Sequence, residues 1–197
     1  MLDILRSFAL TFVPLFVAVD AIGVLPFFLP LTQDLKASQR TRVIRLAMIT
    51  ALALGLGFVA VGKGVLFLLN IEIADFLVAG GLILLLLAAK DIITGRMWES
   101  NAFSVAEAGA VPIGTPLVTG PAVLTTLLLL TGQYHIAIVI VSFILNLLLT
   151  WLIFSQANRI VAFLGQGGVR ATSKVAALFL AAIAIKMIRQ GVLQIIG

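Results

Sequence analysis

Apolar residues fill six long stretches of the chain, and polar residues gather in the short connections between them. A bilayer's hydrocarbon core is about 30 Å thick, so a helix needs about 20 apolar residues to cross it. The runs also lack the alternating polarity of membrane β-strands. The pattern therefore predicts an all-α membrane protein with six transmembrane helices, at about 7–31, 43–69, 73–93, 109–131, 135–157 and 172–195. A glycine-rich connection at 165–173 separates the last two.

Composition favours a single transmembrane domain over 1–197 and no enzyme. Hydrophobic residues make up 62% of the chain and charged residues 11%, whereas soluble domains carry about 25% charged residues. The connections leave no room for a soluble catalytic or nucleotide-binding domain, and no Walker loop, H-E-x-x-H or Ser-His-Asp set occurs. Cysteine is absent, which excludes thiolate ligands. We expect neither cofactor nor metal.

Basic residues predict the orientation in the membrane. The net charge is +5, but the 13 basic residues are scattered in connections and form no stripe for nucleic acid. With the N-terminus outside, nine of them fall on the cytoplasmic side: Lys36, Arg40, Arg42, Arg45, Lys90, Arg96, Arg159, Arg170 and Lys174. Because cytoplasmic loops carry the excess of Lys and Arg, both termini are predicted to be external.

The chain resembles two related halves, at about 1–98 and 105–197. The pattern A-x-K-x-I-x-x-G occurs at 88–95 and again 96 residues later, at 184–191. The first and fourth stretches are also both interrupted by proline and glycine. Because each half has an odd number of spans, the second half must enter the membrane from the opposite side. The sequence thus predicts two inverted three-helix repeats, an arrangement that places solute sites near the midplane.

Proline and glycine predict that the first and fourth helices are discontinuous. The interrupting residues are Pro14, Gly23, Pro26 and Pro30 in the first, and Pro112, Gly114, Pro116, Gly120 and Pro121 in the fourth. Proline removes a helical hydrogen bond, and lipid tolerates freed backbone groups only beside protein or a water-filled cavity. Two interpretations stand open. The prolines either shape the bundle as simple kinks, or mark two broken helices that line a site.

The stretch from Thr119 to Val123 resembles the start of a half-helix. Thr119 or Gly120 is suited to cap it, and Pro121 is favoured at the first helical position. Such a start would aim unpaired amides of Ala122 and Val123, with the positive end of the helix dipole, at the membrane interior. This arrangement suits a carboxylate.

Asp20 is the acidic residue that lies well inside a predicted span. A carboxylate at that depth costs about 2.5 to 3.5 kcal/mol on insertion scales, so it requires a partner or a cavity. One interpretation is a proton or cation site coupled to transport, or a partner for a substrate ammonium. The other is a helix cap within the break, next to Gly23. The two are compatible.

Other small or polar residues are candidates for the same site. Gly80 and Gly81 allow another backbone to approach closely, for packing or for a ligand. Asn146 lies on a polar stripe with Ser142 and Thr150, and corresponds to Thr50 at the 96-residue offset. These side chains either line a cavity or form interhelical hydrogen bonds. Thr125 follows the fourth-span break, although its hydroxyl is equally suited to bond its own helix.

Four segments together resemble the MarC family of bacterial and archaeal membrane proteins, which includes the SnatA-type neutral amino acid transporters. They are D-A-I-G-V-L-P-F-F at 20–28, A-G-G-L-I-L at 79–84, V-P-I-G-T-P-L-V-T-G-P-A at 111–122 and I-K-M-I-R-Q-G at 185–191. The resemblance implies a six-helix secondary transporter of the bacterial inner or archaeal plasma membrane. It also implies glycine and alanine as substrates, with proton coupling. Ala122 departs from the glycine expected in many relatives, and its methyl group narrows the approach to the backbone.

The leading hypothesis is a transporter that moves a small zwitterion by alternating access, with its carboxylate at the fourth-span break and its ammonium toward Asp20. Its partners are then a neutral amino acid, a proton or cation, and the lipid bilayer, without nucleic acid. Alternatives are a passive channel, an exporter of other small metabolites, or a structural subunit. Homo-oligomerisation stays open.

Overall fold

The structure, a computed structural model, describes residues 2–32, 35–94 and 109–196, and this part of the chain is entirely helical. It contains seven α-helices and one π-helical segment. They are α1 (Leu2–Val19), α2 (Ala21–Thr32), α3 (Ala37–Leu68), α4 (Ile73–Thr94), the π-helical segment (Gly109–Val118), α5 (Pro121–Gln133), α6 (Ile136–Ser155) and α7 (Ala157–Ile196). The all-α prediction is confirmed over these ranges.

Five segments among the described residues are long and apolar enough to cross a bilayer. They are Asp3–Leu25, Ala37–Leu68, Ile73–Lys90, Ile136–Ser155 and Ala177–Ile196, and the shorter apolar helix α5 joins them. Large apolar side chains stand exposed along the bundle, such as Leu86 at 70% and Phe179 at 65%. An outer surface of this kind suits lipid, since a water-soluble protein rarely exposes so continuous an apolar area.

The predicted glycine-rich connection at 165–173 is wrong, because α7 continues through it without a break. Each glycine weakens a helix by about 1 kcal/mol, but no proline interrupts this stretch and the remaining residues tolerate the helix. The result is a helix of 40 residues, about 60 Å long, which exceeds the thickness of the hydrocarbon core. The segment 95–108, between the third and fourth predicted spans, lies outside the described residues.

Helices α4 and α7 form the most extensive helix pair and run antiparallel. A Cβ built on Gly81 would lie 2.8 Å from the carbonyl oxygen of Ala184, and one built on Gly191 would lie 2.6 Å from that of Ala74. As residue numbers rise along α4, the numbers of the facing residues in α7 fall, so the two helices are antiparallel. Both glycines are needed at these contacts because a methyl group would collide with backbone.

Helix α3 runs parallel to the π-helical segment and α5. The Thr119 hydroxyl donates to the Ala51 carbonyl oxygen at 3.3 Å. Four residues further along α3, a Cβ on Gly55 would lie 3.3 Å from the Leu127 side chain. Numbers thus rise together in both partners, so the two elements run in the same direction.

Helix α6 runs parallel to α1 and α2 in the same way. The hydroxyls of Thr11 and Ser142 are hydrogen-bonded at 2.7 Å, and the rings of Phe28 and Phe154 stack with centroids 4.4 Å apart. Both phenylalanines are fully buried. Packing of α6 along α1 and α2 therefore continues across the junction between those two helices.

Candidate functional site at two helix breaks

The first break lies at Asp20, between α1 and α2. Its backbone has φ of 45°, a left-handed conformation that few non-glycine residues adopt, Asp and Asn more readily than most. The Asp20 amide donates to the Phe16 carbonyl at 3.1 Å, and its carbonyl accepts from the Val24 amide at 2.9 Å. One residue thus closes α1 and opens α2, as the glycines and prolines of this span predict.

The Asp20 carboxylate caps the helix that it opens. Its Oδ1 accepts a hydrogen bond from the Gly23 amide at 3.1 Å. A Cβ at position 23 would lie 2.2 Å from Oδ2, so glycine is required for the carboxylate to occupy this place. The side chain is half-buried. The helix-cap interpretation is confirmed, and the negative charge sits at the positive end of the α2 dipole.

The second break lies at Thr119 and Gly120, between the π-helical segment and α5. The Thr119 amide donates to the Gly114 carbonyl at 3.1 Å, the five-residue spacing of a π-helix. Gly120 is extended, with φ −86° and ψ −179°, and Pro121 takes the first helical position of α5. Gly120 has no side chain with which to cap α5. Among the residues that the structure describes, no side chain caps α5, so no carboxylate there takes the place that Asp20 takes at the first break.

The amides at the start of α5 differ in part from the expectation. The Val123 amide donates to the Gly120 carbonyl at 3.0 Å, as does the Leu124 amide at 3.1 Å. The prediction of an unpaired Val123 amide is therefore wrong, because the first turn tightens onto the extended Gly120. Pro121 has no N–H. Ala122 thus carries the first amide of the helix.

Threonine hydroxyls near the second break bond to backbone carbonyls. Thr119 is fully buried and donates to Ala51, so it ties the break to α3 and does not cap α5. The Thr125 hydroxyl donates to the Ala122 carbonyl at 3.1 Å. For Thr125 the bond within its own helix, left open by the sequence, is the observed one. Thr50 is half-buried in α3, one residue before Ala51.

Gly80 and Gly81 face different partners. A Cβ on Gly80 would lie 1.9 Å from Cγ of Pro121, so α4 touches the start of α5 at this point. Gly81 packs on α7 and takes no part in the break. Of the glycine pair, Gly80 alone adjoins the second break directly.

Asn146 joins α6 to α1 and is left with one polar atom unpaired. Its Nδ2 donates to the Phe12 carbonyl at 3.2 Å and to the Ser142 carbonyl at 2.9 Å. Of the two interpretations that the sequence left open for Asn146, the interhelical hydrogen bond is thus present. The side chain is 2% exposed, and within the described part of the chain its Oδ1 has no hydrogen-bond partner. A buried acceptor without a donor is costly unless water or a ligand supplies one.

Sequence reasoning missed Thr115, in the π-helical segment. Its hydroxyl is buried and, like Oδ1 of Asn146, has no partner among the described residues. The signal in the sequence is a polar side chain one residue before Pro116, in a span where prolines disturb the helix. Two clefts of about 680 and 460 Å³ lie elsewhere, and neither is lined by residues 20–23 or 119–123. In this conformation the second break is closed, since Thr119, Gly120 and Val123 are all buried.

The helices and their exposed apolar surfaces define a multi-pass integral membrane protein with two interrupted segments. The chain belongs to the MarC family of integral membrane proteins, whose sequence pattern matches residues 5–196. It is 29% identical to a UPF0056 membrane protein of Pyrococcus abyssi, covering 98% of this chain and 97% of that protein. A UPF0056 membrane protein of Methanocaldococcus jannaschii is 30% identical, covering 95% and 97%. The UPF0056 inner membrane protein YhgN of Escherichia coli K12 is 29% identical, covering 90% and 92%. No solved structure matches the chain.

Proposed function

We propose that this protein is a secondary transporter of the SnatA type, which moves small neutral amino acids such as glycine and alanine across the cell membrane by alternating access. The observation that carries the proposal is the pair of helix breaks, at Asp20 and at Thr119–Gly120. Discontinuous helices at membrane depth expose helix ends, and transporters use such ends to bind charged groups of a solute.

An inverted six-crossing arrangement is supported by the direction of packing. Helix α1 packs on α5, and α2 packs on the π-helical segment. The first part of each broken segment thus contacts the second part of the other. This pairing is expected when two broken segments run antiparallel with their breaks at similar depth. The antiparallel pair α4 and α7 fits the same two-fold axis in the membrane plane. The π-helical segment and α5 together then form the fourth crossing. Rotation about the two-fold axis then places the repeat of about 1–98 on the repeat of about 105–197.

The difference between the breaks suggests where a zwitterion binds. At the first break the Asp20 carboxylate already occupies the start of α2. At the second, no side chain within the described ranges caps α5, and its dipole and the Ala122 amide remain for an external carboxylate. The ammonium of the ligand is then directed toward Asp20. The unpaired atoms of Thr115 and Asn146 are further candidates for ligand or water contacts.

The surroundings of the second break favour a small ligand. Gly80 and Pro121 are in direct contact, Val123 is 1% exposed, and the Ala122 methyl group stands beside the amide. A rocking motion of one repeat against the other must open this region to either side in turn. Glycine and alanine are the amino acids that require the least space there.

Asp20 is the proposed coupling residue, for a proton or another cation. Protonation weakens its acceptor bond to Gly23, because a neutral carboxyl is a poorer acceptor for an amide at a helix start. The left-handed backbone at position 20 then loses part of its support. Charge at this one side chain is thereby linked to the geometry of the first break.

Counterflow in proteoliposomes tests the proposal, using labelled glycine or alanine outside and unlabelled amino acid inside. Asp20→Asn keeps a cap and tolerates the left-handed backbone, so it removes the charge while preserving the break. We expect this variant to lose transport by about tenfold or more, in line with loss of a charged contact of about 1.5 to 3 kcal/mol. Asp3→Asn, on exposed α1 surface, is the matched control and should transport normally.

Several outcomes contradict the proposal. Exchange no faster than in empty vesicles, across a panel of neutral amino acids, excludes amino acid transport. Flux that never saturates and shows no counterflow favours a passive channel. Full activity of Asp20→Asn removes Asp20 from the coupling and binding roles.

A further inference from the structure

An open cleft of about 680 Å³ lies at one end of the bundle, away from both breaks. It is formed where α3 and α5 end, where α4 begins and where α7 ends. Its lining comprises Lys63, Leu66, Ile71, Glu72, Ile73, Ala74, Leu128, Leu129, Gly132, Gln133 and Gln194. Because these are helix ends, we expect the cleft to lie at the level where phospholipid headgroups meet the hydrocarbon core.

The polar side of the cleft carries one positive and one negative charge. Lys63 and Glu72 both line it, with the carboxamides of Gln133 and Gln194 beside them. Within the described ranges, neither charged side chain forms an ion pair or a side-chain hydrogen bond. A Cβ built on Gly132 would lie 3.6 Å from the Lys63 Nζ, which places this ammonium at the C-terminal end of α5. The cleft therefore offers separate contacts for an anion and a cation.

The other side of the cleft is apolar and in part exposed. Leu66, Leu128 and Leu129 continue from the polar groups along α3 and α5, and Leu129 is 53% exposed. A free amino acid has nothing to bury against these side chains. A phospholipid places a zwitterionic headgroup at the membrane surface and an acyl chain directly below it, which matches both halves of the lining.

We propose that this cleft binds a zwitterionic phospholipid with a primary ammonium, such as phosphatidylethanolamine. Lys63 contacts the phosphate, Glu72 contacts the ammonium, and an acyl chain lies along Leu66 and Leu129. The site is independent of amino acid transport. Because α3 and α4 belong to the first half of the chain while α5 and α7 belong to the second, the bound lipid touches both halves.

Lipid binding to the purified protein tests the site, measured by native mass spectrometry and by thermal stabilisation in detergent. Phosphatidylethanolamine, phosphatidylcholine and phosphatidylglycerol with identical acyl chains are compared. We expect the ethanolamine lipid to bind most tightly. Choline has no N–H to donate to Glu72, and glycerol has no positive charge. Lys63→Gln and Glu72→Gln should each weaken binding of the ethanolamine lipid by about tenfold.

Arg6→Gln and Asp3→Asn are the matched controls. Both residues are exposed near the start of α1, which meets the beginning of α6, and neither helix lines the cleft. They should bind the lipid as the unaltered protein does, and Lys63→Arg should retain most of the affinity. Circular dichroism and size-exclusion profiles establish that each variant is folded. Equal retention of the three lipids, or unchanged binding in Lys63→Gln, overturns the proposal. Displacement of the lipid by millimolar glycine also overturns it, because the cleft would then be an amino acid site.

Discussion

Replacing Gly80 with alanine directly perturbs the contact between α4 and the start of α5. Gly80 is buried, and the ring of Pro121 occupies the space that a side chain would need. Pro121 cannot turn away easily, because its ring fixes φ at the first position of α5. The added methyl group must therefore move one helix relative to the other.

The size of the effect follows from the distance. A Cβ at position 80 would lie 1.9 Å from Cγ of Pro121, whereas carbon atoms make favourable contacts at about 3.5 Å. The shortfall is about 1.6 Å, more than small side-chain adjustments absorb. Overpacking of this kind costs about 1 to 3 kcal/mol. For a chain of 197 residues this corresponds to roughly 2 to 12 °C in melting temperature.

Thermal unfolding of the purified protein in detergent measures the change. The matched controls are Gly57→Ala and Gly64→Ala in α3, where a new Cβ would meet nothing within 4 Å. These two should be neutral or more stable by up to about 1 kcal/mol, since alanine favours a helix over glycine. Counterflow of glycine measures whether the displaced α5 also impairs the proposed transport.

Two results would refute this reasoning. A melting temperature for Gly80→Ala equal to that of Gly64→Ala would show that α4 does not press on Pro121. Destabilisation of all three variants to the same extent would show that glycine is needed in these helices for a reason other than packing.

Two further contacts give predictions of their own. Arg40 is 5% exposed, and its guanidinium donates to the Thr32 carbonyl at the C-terminal end of α2. Arg40→Gln should therefore lower the free energy of unfolding by about 1.5 to 3 kcal/mol. The exposed neighbour Arg42→Gln should stay within about 0.5 kcal/mol in the same unfolding assay, and equal effects would contradict a role for the cap. A double-mutant cycle of Thr11→Ala and Ser142→Ala should give a coupling of about 0.6 kcal/mol, typical of membrane hydrogen bonds, and strict additivity would argue against their contact.

Five of the six spans and both breaks were accessible from the sequence because their causes are local. Apolar length defines a membrane helix, and the order Gly120, Pro121 is typical of a helix start whatever surrounds it. Asp20 followed by Gly23 likewise combines a capping side chain with a residue that leaves room for it. The glycine-rich stretch at 165–173 misled the same reasoning, because glycine weakens a helix without forcing it to end.

The neighbours of each site residue depend on packing and were not accessible in the same way. Thr119 donates to Ala51, which is 68 residues away in the chain. Gly80 and Gly81 are adjacent in sequence and both buried, yet one faces α5 and the other α7. Which of these two glycines adjoins the break depends on how α4 packs between α5 and α7.

The two breaks meet the same physical demand in different ways, and this difference bears on mechanism. Each helix start has amides that need an acceptor in a region poor in water. The first break supplies the acceptor from Asp20, whereas at the second no side chain of the described residues caps α5, and the Gly120 carbonyl accepts from the Val123 amide. A pair of identical carboxylates would leave the start of α5 no room for the carboxylate of a ligand. One internal anion at the first break, and an α5 start that no described side chain caps, are therefore the features that the proposed zwitterion site requires.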